Sequence, residues 1–309
     1  MRELSHALVL GGSGFIGTWL VERLVHEGVA VTVLDHSPCS SPGVPARVIV
    51  ADVTEDSVAN ALEPGAVDVV FHLAGAAHVP PSLERPLEDL EANLFTVLAA
   101  LEGLRRRGSA APFVFVSSAA VYGDARYQPM DEDHPREPKS PYGVSKLAAE
   151  GYVSLYARLH RLHGLSVRPF SIYGPRQRKL VVYDLLRRLH DGERPLRIGG
   201  SPDVGRDFVF ADDAARALVT LARAAPARGE AYNLASGRCT DLQELATSLV
   251  ELTGIEVDIE FSGSVRAGDP LRWTGDGRRA RALGVRCETP LAEGLRQTAE
   301  WFAAASGEA

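Results

Sequence analysis

Residues 7–35 read Ala7-Leu-Val-Leu10, Gly11-Gly-Ser-Gly-Phe-Ile-Gly17, a run from Thr18 to His26, then Gly28 and Val29-Ala-Val-Thr-Val-Leu34 closing on Asp35. The first four apolar residues predict a short buried strand. The glycines predict a tight turn, and Leu20, Val21, Leu24 and Val25 recur at helical spacing after it. Gly28 ends that helix, and the next apolar run predicts a second buried strand. A bare glycine triplet is only a turn signal. Set between strand and helix, with an acid at the end of the following strand, it predicts a dinucleotide site. Glycines let the backbone approach a pyrophosphate, whose charge is met by the helix N-terminus. Asp35 can accept from both ribose hydroxyls and would repel a 2′-phosphate, which favours NAD over NADP.

The alternation continues. A Pro/Gly/Ser loop from Ser37 leads to a strand at Arg47 to Val50, ending at Asp52, and another at Val67 to Leu73, ending in Ala74-Gly-Ala. Leu87 to Arg107 predicts a long amphipathic helix that contains Asn93. Phe113 to Val116 predicts a strand running into Ser117-Ser118. A helix from Tyr142 to His163 and a strand from Leu165 to Arg168 follow. This spacing predicts an α/β fold, a Rossmann-type doubly wound parallel sheet with ligands at the carboxyl ends of its strands. Asp35, Asp52, Ala74 and Ser118 all fall there.

Beyond about residue 170, Pro, Gly and Arg recur through Gly205, and helices are predicted at Val181 to His190, Asp212 to Ala224, Asp241 to Thr253 and Pro290 to Ala305. No clean second sheet is expected. The expected division is an NAD-binding domain at 1–170, taking back part of 207–240, and a smaller, mainly substrate-binding C-terminal lobe at 171–309.

The chain has 309 residues and a formal net charge of −7, which argues against a nucleic-acid or anionic membrane partner. A local cluster of arginines can still bind a small anion. Cys39, Cys239 and Cys287 are odd in number, far apart and without metal spacing, so reduced thiols and no metal site are expected. No leader is evident and no apolar stretch reaches bilayer length, so a soluble, cytoplasmic protein is expected.

The chemistry points to Ser140-Pro-Tyr-Gly-Val-Ser-Lys146. Tyr142 and Lys146 are four apart, so both side chains leave one helix face about one turn apart. A phenol ordinarily ionises near pH ~10, too high for a neutral-pH base. A nearby ammonium, or an oxidised nicotinamide, favours the phenolate. Ser118 could hold a substrate alcohol while Tyr142 removes or returns its proton. By itself Tyr-x-x-x-Lys is also an ordinary exposed helix pair.

Taken together these elements resemble the extended short-chain dehydrogenase/reductase family, in its NAD-dependent nucleotide-sugar epimerase/dehydratase branch. The resemblance rests on Gly11-x-x-Gly14-x-x-Gly17 with Asp35, Asp52-Val53, His72-Leu-Ala-Gly75, Val116-Ser-Ser-Ala-Ala-Val-Tyr-Gly123 and Ser140 to Lys146. It continues in Tyr173-Gly-Pro-Arg-Gln177, Gly205-Arg-Asp-Phe208 and Arg266-Ala-Gly-Asp269. It implies that Tyr142 is the base, that Lys146 binds the nicotinamide ribose and tunes the tyrosine, and that Ser118 holds the reacting hydroxyl. Phe15, Ile16, Asp35, Asp52, Val53, Leu73, Ala74, Asn93 and Phe170 would line the NAD site. Arg206, Arg266 and Asp269 would hold the diphosphate and nucleoside of a UDP-sugar, although an arginine read singly is more often a solvated surface residue. Ser171 stands where the epimerases carry a phosphate-binding asparagine. A homodimer is expected, paired through the two long helices at Leu87 to Arg107 and Tyr142 to His163.

The residues after Ser118 separate the subclasses. A sugar 4,6-dehydratase must move protons at C5 and C6, and similar dehydratases carry Asp-Glu directly after the catalytic hydroxyl. Ala119 and Ala120 occupy those places and transfer no proton. A 4-epimerase needs one base, a hydride acceptor and room for the ketone to turn. A nucleoside-diphosphate-sugar 4-epimerase is therefore expected, with a dehydratase, 4-keto-sugar reductase or dehydrogenase as the alternative. A NAD-sensing module is disfavoured by the intact Tyr-Lys pair. Ala77 replaces a lysine of some hexose epimerases, and Arg178-Lys179 are either phosphate ligands or solvated. Trp273 falls near a position that limits space for a 2-acetamido group.

Overall fold

The computed structural model describes residues 2–38, 44–62, 67–77, 79–263 and 271–307. The chain begins β1 (His6–Leu10), α1 (Phe15–His26), β2 (Ala30–Asp35), β3 (Arg47–Val50), α2 (Glu55–Ala61) and β4 (Val69–His72). Two short helices, α3 (Val79–Glu84) and α4 (Pro86–Leu90), lead through a π-helical turn at Glu91–Phe95 into α5 (Thr96–Arg106). Next come β5 (Phe113–Val116), α6 (Pro141–Leu159), β6 (Gly164–Pro169), β7 (Ser171–Tyr173), α7 (Leu180–His190) and β8 (Leu196–Ile198). The chain then forms β9 (Gly205–Phe210), α8 (Ala211–Ala224), β10 (Arg228–Leu234), β11 (Cys239–Asp241) and α9 (Leu242–Thr253). It closes with β12 (Ile259–Phe261), α10 (Arg278–Arg281) and α11 (Leu291–Gly307).

Seven strands form one parallel sheet in the order β10-β6-β5-β4-β1-β2-β3. From β1 the order runs outward in both directions, so the crevice lies between β1 and β4 at the carboxyl ends. Both faces of this sheet are covered, which is why its strands read as unbroken apolar runs. In β1, Ala7 and Val9 pack with Leu20, Val21 and Leu24 of α1 and Leu218 of α8. Leu8 and Leu10 pack the other way, with Val58 of α2, Leu101 of α5 and Ala149 of α6.

The predicted helix over Leu87 to Arg107 is present but is interrupted by the π-helical turn around Asn93. The helix carrying Tyr142 starts where expected: Ser140 Oγ accepts from the Gly143 N–H at 3.2 Å and Pro141 occupies the first turn. It stops at Leu159, short of His163, because Arg161 adopts a left-handed φ of 56°. The C-terminal half holds more strand than expected. A three-stranded sheet, β11-β9-β7, and a parallel pair, β12-β8, cover a separate core with Leu185, Leu189, Phe208, Leu245, Leu249 and Phe302. From within this half, β10 returns to the large sheet and pairs with β6.

Candidate active site

The glycine turn is a cradle that side chains would fill. Gly11 has φ 81°, and a Cβ there would lie 2.4 Å from the Ala74 nitrogen. A Cβ on Gly17 would meet the Gly11 carbonyl oxygen at 2.3 Å. Gly14 caps α1, and its own Cβ would find only the Gly11 oxygen, at 3.4 Å, so that side of the turn is open. The first N–H groups of α1 have no partner within a helix and face an approaching phosphate. Asp35 is buried at the end of β2; it accepts from the Ser13 N–H and the Ser37 N–H, each at 3.0 Å. The acid thus braces the glycine turn from behind. Asp52 and Val53 follow β3, Leu73 and Ala74 follow β4, and Phe15 and Ile16 open α1, all along the same sheet edge. This cradle, helix start and terminal acid fit a dinucleotide.

The Tyr-Lys pair lies beside it. Tyr142, in the first turn of α6, is 8% exposed, and the Ser118 side chain lies near its phenol. Burial pushes the phenol up to about 12; the Ser118 hydroxyl opposes this and the Asp89 charge adds to it. Lys146 is also buried, donates to the Val116 carbonyl at 3.1 Å and lies 4.9 Å from the Phe115 ring centroid. Burial brings its ammonium down to about 8, against the pull of Asp89 and Glu150. The expected lowering of the phenol by its lysine is therefore not seen in the protein alone, where burial dominates.

Ser118, two residues beyond β5, is extended and caps the turn that follows, its Oγ accepting from the Ala120 N–H at 3.1 Å. Ala119 and Ala120 are buried in the turn that follows. Across the crevice Phe170, between β6 and β7, packs edge-on to Trp273 at 6.2 Å. Trp273 is fixed by donating Nε1–H to the Gly123 carbonyl at 2.9 Å, and the Arg206 guanidinium lies over its ring at 5.6 Å. Ser171 begins β7, in register with Phe208 on the strand that carries Arg206. Arg178 and Lys179 are exposed, as is Ala77. Arg266 and Asp269, like Cys39, lie outside the described residues.

Most of the buried polar groups around the site gave no sequence signal. Asp89 joins Asn93 and Ser145, and Ser82 Oγ accepts from the Tyr142 N–H at 3.3 Å. Beneath α6, Arg168 is 1% exposed and paired to Glu150 at 2.6 Å, with Nη1 donating to the Tyr122 hydroxyl at 2.9 Å. Burial is the largest single influence and works against its charge, but the hydrogen bonds and charge of Glu150, together with Tyr122, jointly outweigh it and raise its pKa. Asp207, next to Arg206, accepts from the Ser236, Gly237 and Gly275 N–H groups at 2.8, 2.9 and 3.1 Å. Of these, the Asp89–Asn93 separation of four in an amphipathic run was the one readable hint. Among the described residues no cluster of His, Cys, Asp or Glu could hold a metal ion.

Residues 7–235 match the model of the NAD dependent epimerase/dehydratase family. The chain is 33% identical over 310 residues to a UDP-glucose 4-epimerase of Mycolicibacterium smegmatis, covering 96% of this chain and 97% of that protein. Its fold matches the Thermotoga maritima UDP-glucose 4-epimerase solved with UDP-glucose, at a TM-score of 0.90 and 29% identity, covering 97% and 99% of the two chains. It also matches the Thermus thermophilus UDP-glucose 4-epimerase solved with NAD, at 0.88 and 30%, again covering 97% and 99%. A glycine cradle closed by Asp35 and a buried Tyr-Lys pair beside Ser118 are thus found in a chain whose relatives include both UDP-glucose 4-epimerases and dTDP-D-glucose 4,6-dehydratases, and the chain belongs to the NAD dependent epimerase/dehydratase family, with NAD as its cofactor.

Proposed function

We propose that this NAD-dependent enzyme interconverts the C4 epimers of a UDP-sugar. The observation that carries the reading is the pairing of a buried Tyr142 with Ser118, directly followed by two buried alanines. One proton-handling phenol is present, and the acid/base side chains that a dehydratase would need directly after Ser118 are missing. Bound NAD supplies a reversible hydride acceptor. Ser118 Oγ orients the C4 hydroxyl, and the Tyr142 oxygen takes its proton and gives it back. Lys146 places a positive charge beneath the ring of Tyr142, at 5.9 Å from its centroid. Gly11, Gly14, Phe15, Ile16, Gly17, Asp35, Asp52, Val53, Leu73, Ala74, Asn93 and Phe170 form the cofactor's surroundings. Ser171 and Arg206, with Arg266 and Asp269, hold the nucleoside diphosphate, so residues 171–309 mainly serve the substrate while 1–170 mainly serve NAD.

The same reading includes a homodimer. Val144, Tyr152 and Leu159 are exposed on α6 within about 80° of arc, on the face opposite Tyr142 and Lys146. Leu87 and Phe95 are exposed on the neighbouring helical run. An apolar stripe on two adjacent helices suits self-association. No described helix is long and apolar enough to cross a membrane, which fits the proposal of a cytoplasmic enzyme.

The test is to incubate the purified protein with UDP-glucose or UDP-galactose, without added oxidant, and follow the anomeric signals by NMR. Interconversion is expected with no net NADH. A 4-keto product or net NADH would move the protein to the dehydratase or dehydrogenase alternative. No reaction with any UDP-, dTDP- or GDP-sugar would remove the proposal.

A further inference from the structure

One buried carboxylate is shared by the elements that hold the Tyr-Lys pair. Asp89, in α4, is 4% exposed. Its Oδ1 accepts from Asn93 Nδ2 at 3.0 Å, and its Oδ2 accepts from Ser145 Oγ at 2.8 Å. Asn93 belongs to the π-helical turn, and Ser145 immediately precedes Lys146 in α6. Ser82 adds a second tether from α3, accepting the Tyr142 N–H and donating to the Val79 carbonyl at 2.7 Å. The first turns of α6 are therefore gripped next to both reactive side chains.

The charge of Asp89 needs its own explanation. Two neutral donors leave a buried carboxylate uncompensated, and such a charge costs several kcal/mol. Among the described residues it makes no ion pair. The nearby cation is Lys146, faced by Asp89 from α4, by Glu150 and Tyr142 from α6, by His72 from β4 and by the Phe115 ring from β5. His72 is buried and neutral, brought down to about 3 by burial and then by Lys146. Glu150 is already paired with Arg168. Asp89 is the remaining carboxylate whose charge is left for the ammonium.

We propose that Asp89 is a positioning residue, which fixes the rotation of α6 through Ser145 and Asn93 and supplies the counter-charge that keeps Lys146 an ammonium beside Tyr142. This rests on Tyr142 and Lys146 being the proton-handling pair. Asp89→Asn keeps the shape and removes the charge; Ser145→Ala keeps the charge and removes one tether. In Asp89→Asn, kcat for UDP-glucose falls about 10- to 100-fold with little change in KM. Its alkaline limb moves down by about one pH unit, because Lys146 surrenders its proton sooner. Ser145→Ala lowers kcat less and leaves that limb in place.

A second measurement needs no turnover. In an ultraviolet difference titration, each protein read against its own Tyr142→Phe version, the phenol ionises at lower pH in Asp89→Asn, since a repelling charge has gone. Asp89→Ser repeats the titration if Asp89→Asn does not fold. A folded, NAD-containing neutral variant with an unmoved alkaline limb and an unmoved phenol titration overturns the inference. So does an equal shift of the limb in Ser145→Ala. If the wild type turns over no UDP-sugar, the functional reading fails, while the titration still decides the role of Asp89.

Discussion

The Lys146 ammonium lies 5.9 Å from the centroid of the Tyr142 ring, and its hydrogen bond goes to the Val116 carbonyl at the end of β5. It therefore sets the field beneath the phenol, while the Ser118 side chain, in the segment after β5, acts on the phenol as well. Tyr142→Phe is expected to lower kcat about 10²- to 10⁴-fold, the usual worth of a positioned acid/base group. NAD released on denaturation should match wild type. Ser118→Ala should cost less, since it removes orientation and leaves the proton acceptor. A Tyr142→Phe enzyme with near-normal kcat would place the proton transfer elsewhere.

Burial of Lys146 has a consequence for stability. Its ammonium titrates at about 8 in the folded protein and near the ordinary 10.5 when exposed. Between those values the unfolded chain binds the extra proton, so this residue makes the native state more stable as pH rises from about 8 to 10.5. Below pH 8 the full penalty of the buried charge applies. In urea titrations, any stability advantage of Lys146→Met over wild type should shrink across that window. An advantage that stays constant with pH would show that Lys146 is not desolvated.

Two glycines predict contrasting outcomes. A methyl on Gly17 collides with the Gly11 carbonyl, whereas one on Gly28 meets nothing within 4 Å, though Gly28 has φ 78°. Gly17→Ala should be purified without NAD. Gly28→Ala should keep its NAD and lose about 1–2 kcal/mol from left-handed strain. Equal NAD content in the two variants would contradict the cradle.

Removing one partner of the buried Arg168–Glu150 pair strands a charge. Arg168→Ala should destabilise the protein by about 3–5 kcal/mol in chemical denaturation, and Arg168→Met with Glu150→Leu should recover much of that. A loss below about 1 kcal/mol, as for an exposed pair, would mean that the site admits water.

The parallel sheet and its glycine turn were legible because unbroken apolar strands, helical spacing and a terminal acid all agree over Ala7 to Asp35. The Tyr142–Lys146 pair and its hydroxyl were legible because four-residue spacing on a helix and a serine at a strand end are local facts. The π-helical turn at Asn93 was not, since an extra residue in a turn leaves the apolar pattern of Leu87 to Arg107 nearly unchanged. Arg168 was unreadable for another reason. It falls in what looks like a buried strand, and its partners Glu150 and Tyr122 come from segments far apart in the chain. The small sheets built from β7, β8, β9, β11 and β12 were missed because all but β9 have only three residues in a Pro- and Gly-rich setting, too short for periodicity to register.

The pairing of β10 with β6 also bears on how the protein is made. During synthesis, the segment that completes the nucleotide-binding sheet emerges from the ribosome only after α7, β8, β9 and α8 have been extruded. Until then β6 presents an open edge, with backbone N–H and C=O groups ready to join another chain. A nascent polypeptide released before residue 234 would therefore be prone to aggregate despite carrying every glycine of the turn.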